Sequence, residues 1–433
     1  MKKILVALLL GVLSLSLLGC KDTVPTDAIV IDFWHMSPVG SESYSRTKQM
    51  ITAFNESQDT YFVKGTGFSF WDYWDKINVA VSSRTAPDLG LSTIDDVVSR
   101  AEAGVLYNIS DLMSADPTGI DINQFYEAQL QFATYDSSLY ALPFTATTRV
   151  LYYNLDMFEE AGLTEADVPH TWSELYAVSK QLDIVEDGTI EQLGFDPTYG
   201  NATYHGFLWQ SGLDFFDQDL NPTLNTQAYA DVLDWIRNFN SEYSRDQLTS
   251  FGAANTMLGI NPFAGERVGM MIETDGLYQT IKESGATFNY GITYIPIPDE
   301  NGVRVNWGSG FSIEMYDNGD NDTASQQGAW EFLKYLMSFD VQKELSQANG
   351  WIMANKAAMD SAAEGNPILQ RMLEEVQYAK DKVYVPYAPS WHGNDWQSYY
   401  TAFLNGETTA LECLAQARAY YLEKQENYNA TRG

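Results

Sequence analysis

The chain contains few cysteines and few histidines, which limits the kinds of site that it can build. Two cysteines and four histidines occur among 433 residues. Two cysteines cannot form a disulfide scaffold or a cysteine-rich zinc site. His35, His170, His205 and His392 do not have the spacing of a metal-binding motif such as HExxH. The sequence therefore predicts no metal site.

Basic residues are also scarce. The chain has 25 Lys and Arg against 58 Asp and Glu, a formal net charge of −33. Such a surface repels phosphate backbones and excludes nucleic-acid binding. The glycine-rich phosphate loop, the GxGxxG fingerprint and the GxSxG nucleophile elbow are absent. Carboxylates are so numerous that a glycosidase pair could be chosen anywhere, so their presence does not indicate catalysis. We therefore expect a protein that is not an enzyme and uses no cofactor.

Long hydrophobic runs are missing except at the N-terminus. Lys2 and Lys3 precede an apolar run over residues 4–18, which is shorter than the ~20 residues of a membrane-spanning helix. This order is typical of a secretory signal. The run ends in Leu17-Leu18-Gly19-Cys20, which resembles the lipobox of bacterial lipoproteins. The resemblance implies a signal peptide over 1–19, a lipidated Cys20 with a tether over 20–27, and anchoring to the membrane at the cell surface or in the periplasm.

Beyond the signal segment, apolar runs that favour strands alternate with helical patterns. The strand-like runs cover residues 28–34, 61–65 and 86–91. The helical patterns cover residues 42–55, 73–83 and 94–103. Further helices are predicted over residues 227–240, 325–338, 399–404 and 408–424. Repetition of strand, loop and helix predicts an α/β fold with a mostly parallel sheet and a ligand at the carboxyl ends of its strands.

Aromatic residues are abundant, with 11 Trp and 27 Tyr. Many lie in predicted loops beside Gly, Asp, Asn or Ser, at residues 33–35, 70–74, 209–212, 306–310, 349–351 and 390–394. A flat ring matches the C–H face of a sugar, and neighbouring polar side chains can bind its hydroxyl groups. A closed cleft lined in this way would select its ligand by leaving no buried polar group unpaired. This pattern favours a carbohydrate ligand and makes Trp71, Trp209 and Gly308 candidate site residues.

Residues 143–160 carry a family-like motif, PFTATTRVLYYNLDMFEE. Similar pieces follow the expected order at residues 85–89, 104–106, 161–163, 171–175, 263–272 and 350–354. Together they make residues 28–425 resemble the family 1 extracellular solute-binding proteins, the maltose-binding-protein-like group that supplies sugar ABC importers. Around Tyr153-Asn154 the motif itself predicts a buried strand edge.

The resemblance implies a two-lobed periplasmic-binding-protein fold of type II. Each lobe would be a mixed sheet flanked by helices, with the ligand in the cleft between them. Lobe 1 would comprise residues 28–145 and 309–348, and lobe 2 residues 146–308 and 349–433. We expect segments that cross between the lobes near residues 145–149, 307–309 and 349–351. The implied partners are a carbohydrate and the transmembrane subunits of an ABC permease, and the chain is expected to act as a monomer.

The resemblance also implies ligand-binding residues. Matching loops give His35, Ser37 and Glu42 after the first strand, and Ser92, Thr93 and Asp95 after the third. The loop before Tyr153 gives Thr147 and Arg149. After residue 272 the tryptophan usual in the family is missing, so Glu273 and Asp275 would bind hydroxyl groups, while the stacking rings would be Trp307, Trp351 and Trp391.

Three functions are compatible with these observations. The first is a sugar-binding lipoprotein of an ABC importer, which captures its ligand without catalysis. The second is a secreted glycoside hydrolase, suggested by the aromatic and carboxylate content. The third is a binding protein for another solute, such as a polyol, glycerol phosphate, a peptide or iron. Few candidate cations, chiefly Arg149, argue against phosphate or carboxylate ligands.

Overall fold

The computed structural model describes residues 24–117, 119–259, 261–320 and 322–432. The side chains of Asp95 and Arg432 are outside this description. The predicted signal peptide, the lipidation site at Cys20 and the first residues of the predicted tether also lie outside it. Within the described ranges, no helix is both long enough and apolar enough to span a bilayer.

A five-stranded mixed sheet organises the N-terminal part of the chain. Its strand order is β2-β1-β3-β13-β6. Strands β1 (Ile29–His35), β2 (Tyr61–Gly67) and β3 (Leu89–Thr93) pair in parallel. Strand β13 (Phe311–Met315) returns much later in the chain and runs antiparallel to both β3 and β6 (Ala141–Pro143). The predicted parallel arrangement therefore holds for the three N-terminal strands, and the two remaining strands make the sheet mixed.

A second sheet has the order β10-β7-β11 and pairs antiparallel throughout. Its members are β7 (Arg149–Asn154), β10 (Met270–Thr274) and β11 (Tyr290–Thr293). All six residues of β7 are buried, as expected for a central strand covered on both faces. The family-like motif thus forms a buried strand at the centre of this sheet and not at its edge.

The remaining strands are short. They are β4 (Thr134–Tyr135), β5 (Ser138–Leu139), β8 (Ile184–Glu186), β9 (Thr189–Gln192), β12 (Asn306–Trp307) and β14 (Ala379–Lys380). The pair of β12 with β14 is parallel and joins parts of the chain that are distant in sequence.

Helices cover the sheets and begin at the polar residues that the sequence provides. Ser41 caps the first helix through Tyr44 N, and Thr171 forms a capping box with Glu174. In chain order the helices are α1 (Glu42–Ser57), α2 (Phe70–Ser82), α3 (Val97–Glu102), α4 (Ile109–Ala115), α5 (Glu127–Phe132), α6 (Leu155–Glu160), α7 (Trp172–Leu182), α8 (Tyr204–Gln210), α9 (Gln227–Asn238), α10 (Arg245–Leu258), α11 (Gly276–Ser284), α12 (Thr323–Leu336), α13 (Phe339–Asn349), α14 (Lys356–Ala362), α15 (Pro367–Val376), α16 (Trp396–Leu404) and α17 (Ala410–Arg432).

Several helix starts differ from the sequence-based prediction, and two of these differences lie near the candidate site. Helix α2 begins at Phe70, so the aromatic stretch 70–74 forms its first turns and is not a loop. Ser69 precedes it in an extended conformation and donates its hydroxyl to Asp72 at 2.7 Å. The helix predicted from residue 94 begins as a 3₁₀ turn, Ile94–Asp96, which continues into α3.

Two buried clusters form the core. One surrounds the five-stranded sheet and includes Ile31, Phe332 and Trp330, and it continues to Tyr152 of the second sheet. The other lies around α7, α8, α9 and α17 and includes Leu208 and Phe215. Segment 144–148 joins β6 to β7 and so connects the two sheets, and segment 308–310 joins β12 to β13. The bridge between Thr145 and Met353 joins the first segment to residues after α13. These connections meet beside the candidate site.

Candidate functional site

A cavity of about 870 Å³ opens where the connecting segments pass between the two sheets. The first sheet contributes the end of β3 and the start of β13, and the second contributes the start of β7 and the end of β10. The connecting segments supply Thr145, Thr147, Ser309 and Gly310. This volume is typical of a site for a small molecule.

Aromatic rings form much of the cavity wall on the side of the first sheet. Trp71 is 78 % exposed, and its ring packs edge-on against Phe70 with 5.0 Å between centroids. Trp74 and Phe311 are stacked at 6.4 Å, and Phe311 is also 6.4 Å from Trp351. These rings all line the cavity, which gives it a broad apolar surface against which a ligand ring can lie.

Arg149 and Trp307 form the opposite wall. The guanidinium of Arg149 lies 3.6 Å from the centre of the Trp307 ring. It donates to the carbonyl oxygen of Trp307 at 2.7 Å and to Asn201 Oδ1 at 3.2 Å. The ammonium of Lys382 lies 4.1 Å from the same ring and 3.2 Å from His392 Nδ1. All five residues line the cavity, so positive charge and donor groups are concentrated on this side.

Two carboxyl groups, one buried and one half-buried, lie at this wall. Asp275 lines the cavity and is 3 % exposed. Burial raises the pKa of Asp275 to about 6, although the backbone N–H of Ile352, Arg149 and Thr147 act in the opposite direction. Glu273 is half-buried and does not line the cavity, and its Oε2 accepts from Asn201 Nδ2 at 2.7 Å. Burial also raises the pKa of Glu273. Glu273 therefore orients Asn201, which itself faces the cavity.

Seven of the residues predicted from the sequence line the cavity together. They are Trp71, Thr93, Thr147, Arg149, Asp275, Trp307 and Trp351. Three features indicated this set in the sequence, namely the motif at 143–160, aromatic residues beside Gly, Asp, Asn or Ser, and the family-like loops after β3 and after residue 272.

The residues predicted after β1 lie beside the cavity and are not part of its lining. His35 is buried against Phe33 and Tyr44, and burial lowers its pKa to about 4. Ser37 is hydrogen-bonded to the hydroxyl of Thr47 at 3.2 Å. Glu42 pairs with Arg46 and lines a neighbouring groove that also touches Trp351 and Gly276.

Several other predicted residues are used inside the fold. Ser92 is fully buried and accepts a hydrogen bond from Arg100. Trp209 is buried in α8 beside His205. Gly308 donates its backbone N–H to the carbonyl oxygen of Lys380 at 2.9 Å. The structure does not bring these residues to the cavity. The side chain of Asp95 is outside the described residues.

Trp391 lies in the core of the second cluster. It is 2 % exposed and its indole N–H donates to the carbonyl oxygen of Val383 at 2.9 Å. Its ring lies 4.7 Å from Phe215 and 5.2 Å from Phe216. The adjacent His392 reaches the cavity in its place.

Sequence reasoning missed part of the lining. The missed residues include Asn78, Asp96, Asn201, Phe311, Lys382 and His392. For Lys382 and His392, long-range pairing decides the position, since β14 pairs with β12 and thereby carries residues 379–393 to Trp307. Asn201 is placed by the hydrogen bond from its backbone N–H to the carbonyl oxygen of Ile272. A signal existed for Asp96, which follows the predicted loop residue Asp95 in the first turn after β3, and for His392, which lies in the aromatic stretch 390–394.

Among the described residues, no three His, Cys, Asp or Glu side chains come close enough to hold a metal ion. The cavity instead offers rings, hydroxyl groups, amides and charged side chains. Such a lining can stack on an organic ligand and exchange hydrogen bonds with it.

Comparison with known proteins identifies relatives of the same architecture. A binding protein of Brucella abortus (strain 2308), whose description names no ligand, is 25 % identical over 365 residues, which cover 80 % of this chain and 83 % of that protein. The structure of CpMnBP1 with mannotriose bound superposes with a TM-score of 0.77 at 22 % identity, covering 91 % of this chain and 100 % of that chain. UgpB from Mycobacterium tuberculosis in complex with glycerophosphocholine superposes with a TM-score of 0.76 at 19 % identity, covering 93 % and 99 %.

These likenesses confirm the predicted fold, a two-lobed α/β binding protein. The sequence profile of bacterial extracellular solute-binding proteins matches residues 49–370. That range includes most of the strands of both sheets and the segments 144–148 and 308–310. The chain therefore belongs to the family of bacterial extracellular solute-binding proteins.

Proposed function

We propose that the chain captures a neutral saccharide in the cavity between its two sheets and delivers it unchanged to the permease of an ABC importer. One observation carries this proposal: aromatic rings and hydrogen-bonding side chains line the same 870 Å³ cavity. Rings favour the apolar faces of a sugar. The polar groups Thr93, Thr147, Asn201 and Asp275 offer both donors and acceptors for its hydroxyl groups.

The proposal includes a division of the chain into lobes. Lobe 1 comprises residues 28–145 and 309–348, and lobe 2 comprises residues 146–308 and 349–433. A ligand that contacts both lobes would favour the closed form, because the additional contacts exist only in that form. The five-stranded sheet lies in the first set of residues and the three-stranded sheet in the second, which supports this division.

We further propose that the protein is a monomeric lipoprotein. Lipidation at Cys20 would anchor it outside the cytoplasm, with residues 20–27 as a tether. Replacing Cys20 by Ala should release the protein from the membrane fraction while its affinity for saccharide stays unchanged. Retention of the variant in washed membranes would contradict the anchor without affecting the binding proposal.

Glycerol phosphate esters are the second candidate ligands. Arg149, Lys382 and His392 all line the cavity around Trp307, which is more positive charge than the sequence suggested. The similar UgpB structure contains glycerophosphocholine. The neighbouring carboxyl groups, which include Asp275 and Asp96, would repel an anionic ligand. For this reason glycerol phosphate esters are the second candidate.

A thermal-shift and calorimetry panel tests both candidates on the purified full-length chain. The panel contains mannotriose, maltotriose, tagatose, sn-glycerol-3-phosphate and glycerophosphocholine. A true ligand at 100 times its Kd should add ~2.7 kcal/mol to the free energy of unfolding. Stabilisation by a saccharide alone supports the proposal, and stabilisation by the phosphate esters alone supports the second candidate. Release of new reducing ends from the oligosaccharides would instead indicate a hydrolase.

A further inference from the structure

Arg100 lies behind the cavity wall that belongs to the first sheet. It is on α3 and 7 % exposed. Its guanidinium donates to Glu314 Oε2 at 2.6 Å, to the Ser92 hydroxyl and to Asn78 Oδ1 at 2.9 Å. It also pairs with Asp96 Oδ2 at 3.5 Å. One side chain thus joins β3, β13, α2 and the turn before α3.

These four partners fall into two groups. Ser92 and Glu314 are fully buried, whereas Asn78 and Asp96 line the cavity. Arg100 therefore connects a buried carboxylate with two polar side chains that a ligand can reach. Because a guanidinium presents its donors in a rigid planar fork, it fixes the direction of each acceptor as well as its distance.

The ion pair between Arg100 and Glu314 is buried. Burial raises the pKa of Glu314, and the adjacent Arg100 opposes that rise. Glu314 in turn raises the pKa of Arg100. Removing either partner would therefore leave a buried polar group without its counterpart. Asp96 contributes a further carboxylate on the side of the cavity.

The orientation of Asn78 follows from this network. Its Oδ1 accepts from Arg100, so the amide hydrogens on Nδ2 are the side-chain donors that it can offer to a ligand. Asp96 accepts from the hydroxyl of Thr93 at 2.9 Å, and a carboxylate has capacity for additional donors. The wall therefore presents a donor at Asn78 and an acceptor at Asp96, which together match a sugar hydroxyl that both accepts and donates.

We propose that Arg100 is a positioning residue that sets Asn78 and Asp96 as a donor–acceptor pair and thereby selects a saccharide hydroxyl group. This inference rests on the proposed function. Arg100 does not itself line the cavity, so its effect on the ligand passes through the two side chains that it holds.

The test uses Arg100→Lys, which keeps the positive charge beside Glu314 but cannot donate to Glu314 and Asn78 as a fork. The matched control is Arg304→Lys. Arg304 donates to the buried Glu375, with Nε 3.3 Å from Oε2, and neither residue lines the cavity. The probe is mannotriose or maltotriose, whichever binds more tightly, together with its monodeoxy derivatives.

R100K should weaken binding of the parent sugar about tenfold and remove the penalty for one particular missing hydroxyl group. In the Asn78→Ala/Asp96→Ala background, R100K should change Kd by less than about twofold, because the side chains through which it acts are gone. R304K should leave Kd and the monodeoxy profile unchanged. A purely structural role would lower the melting temperature and weaken all analogues equally, and that result would overturn the proposal.

Crystal structures of the ligand-free wild type and R100K separate this inference from the proposed function. Loss of the Asn78 and Asp96 orientations in R100K supports positioning, and retention of both orientations overturns it. If no saccharide binds the wild type, the proposed function fails, and the two ligand-free structures still decide whether Arg100 positions these side chains.

Discussion

The carboxylate of Asp275 accepts a hydrogen bond from the backbone N–H of Ile352 at 2.9 Å. This bond ties the end of β10 to the segment after α13, which pairs with residues 144–146 between the two sheets. Asp275 also lines the cavity. A single buried carboxyl group therefore links a connecting segment to the candidate ligand site, and its protonation should affect both.

The pH dependence of stability should reveal this group. Burial raises the pKa of Asp275 from 3.8 to about 6. Between these values the folded state holds a proton that the unfolded state has lost, so this group's contribution to stability falls as pH rises and is constant above the higher value. Asp275→Asn removes the titration and keeps an acceptor for Ile352. Relative to wild type, D275N should therefore gain stability from pH 4 to pH 6, on the order of 2–3 kcal/mol.

Urea unfolding of both proteins at pH 4, 5, 6 and 7 measures this difference. Asp217→Asn is the control, because the N–H groups of Asn221 lower the pKa of the exposed Asp217. The stability difference between this variant and wild type should therefore change with pH in the opposite direction. D217N should lose stability relative to wild type as pH rises through the acidic range. A D275N difference that does not vary with pH would contradict the assignment.

Trp71 and Trp391 form a matched pair for testing the aromatic wall. Trp71 is 78 % exposed in the cavity, and Trp391 is 2 % exposed in the core. Trp71→Ala should change the free energy of unfolding by less than about 0.5 kcal/mol and weaken saccharide binding roughly two- to tenfold. Trp391→Ala should lower the free energy of unfolding by about 3–5 kcal/mol. Denaturant titration and calorimetry measure the two effects, and unchanged affinity in W71A would remove Trp71 from the site.

These two tryptophans also show how far the sequence alone can lead. Both have polar neighbours in the chain, and the sequence predicts that both face the ligand. Trp391 is buried because Phe215 and Phe216, far away in sequence, pack against it. The local sequence pattern identifies a tryptophan with polar neighbours, but contacts with distant parts of the chain decide whether that tryptophan is exposed or buried.

The fold itself was more accessible to prediction. Strands β1, β2 and β3 are apolar and β-prone, and α1 begins at a capping serine, so each is determined by residues close together in the chain. The motif at 143–160 located β7 and Arg149. Lys382 and His392 could not be placed in this way, because β14 joins β12 across more than seventy residues.

Arg149 should be more sensitive to replacement by lysine than a surface arginine. It is 5 % exposed and donates to Trp307 and Asn201 while its plane lies against the Trp307 ring. A lysine cannot satisfy both acceptors, so Arg149→Lys should cost about 2 kcal/mol of unfolding free energy and weaken ligand binding. Arg245→Lys is the control, because Arg245 makes an exposed contact with Asn405 at 3.3 Å. Equal stability of the two variants in urea would show that the buried fork is not needed.

Gly308 should not tolerate a side chain. Its backbone N–H donates to the carbonyl oxygen of Lys380 at 2.9 Å, and a Cβ at this position would overlap the Cβ of Ala379. Gly308→Ala must therefore push β14 away from β12, next to Trp307, at a cost of about 1–3 kcal/mol. Removing the opposing methyl group in Gly308→Ala/Ala379→Gly should recover part of this loss, which thermal unfolding of the single and double variants can measure. If the second substitution recovers no stability, the close approach of the two strands does not explain the need for glycine.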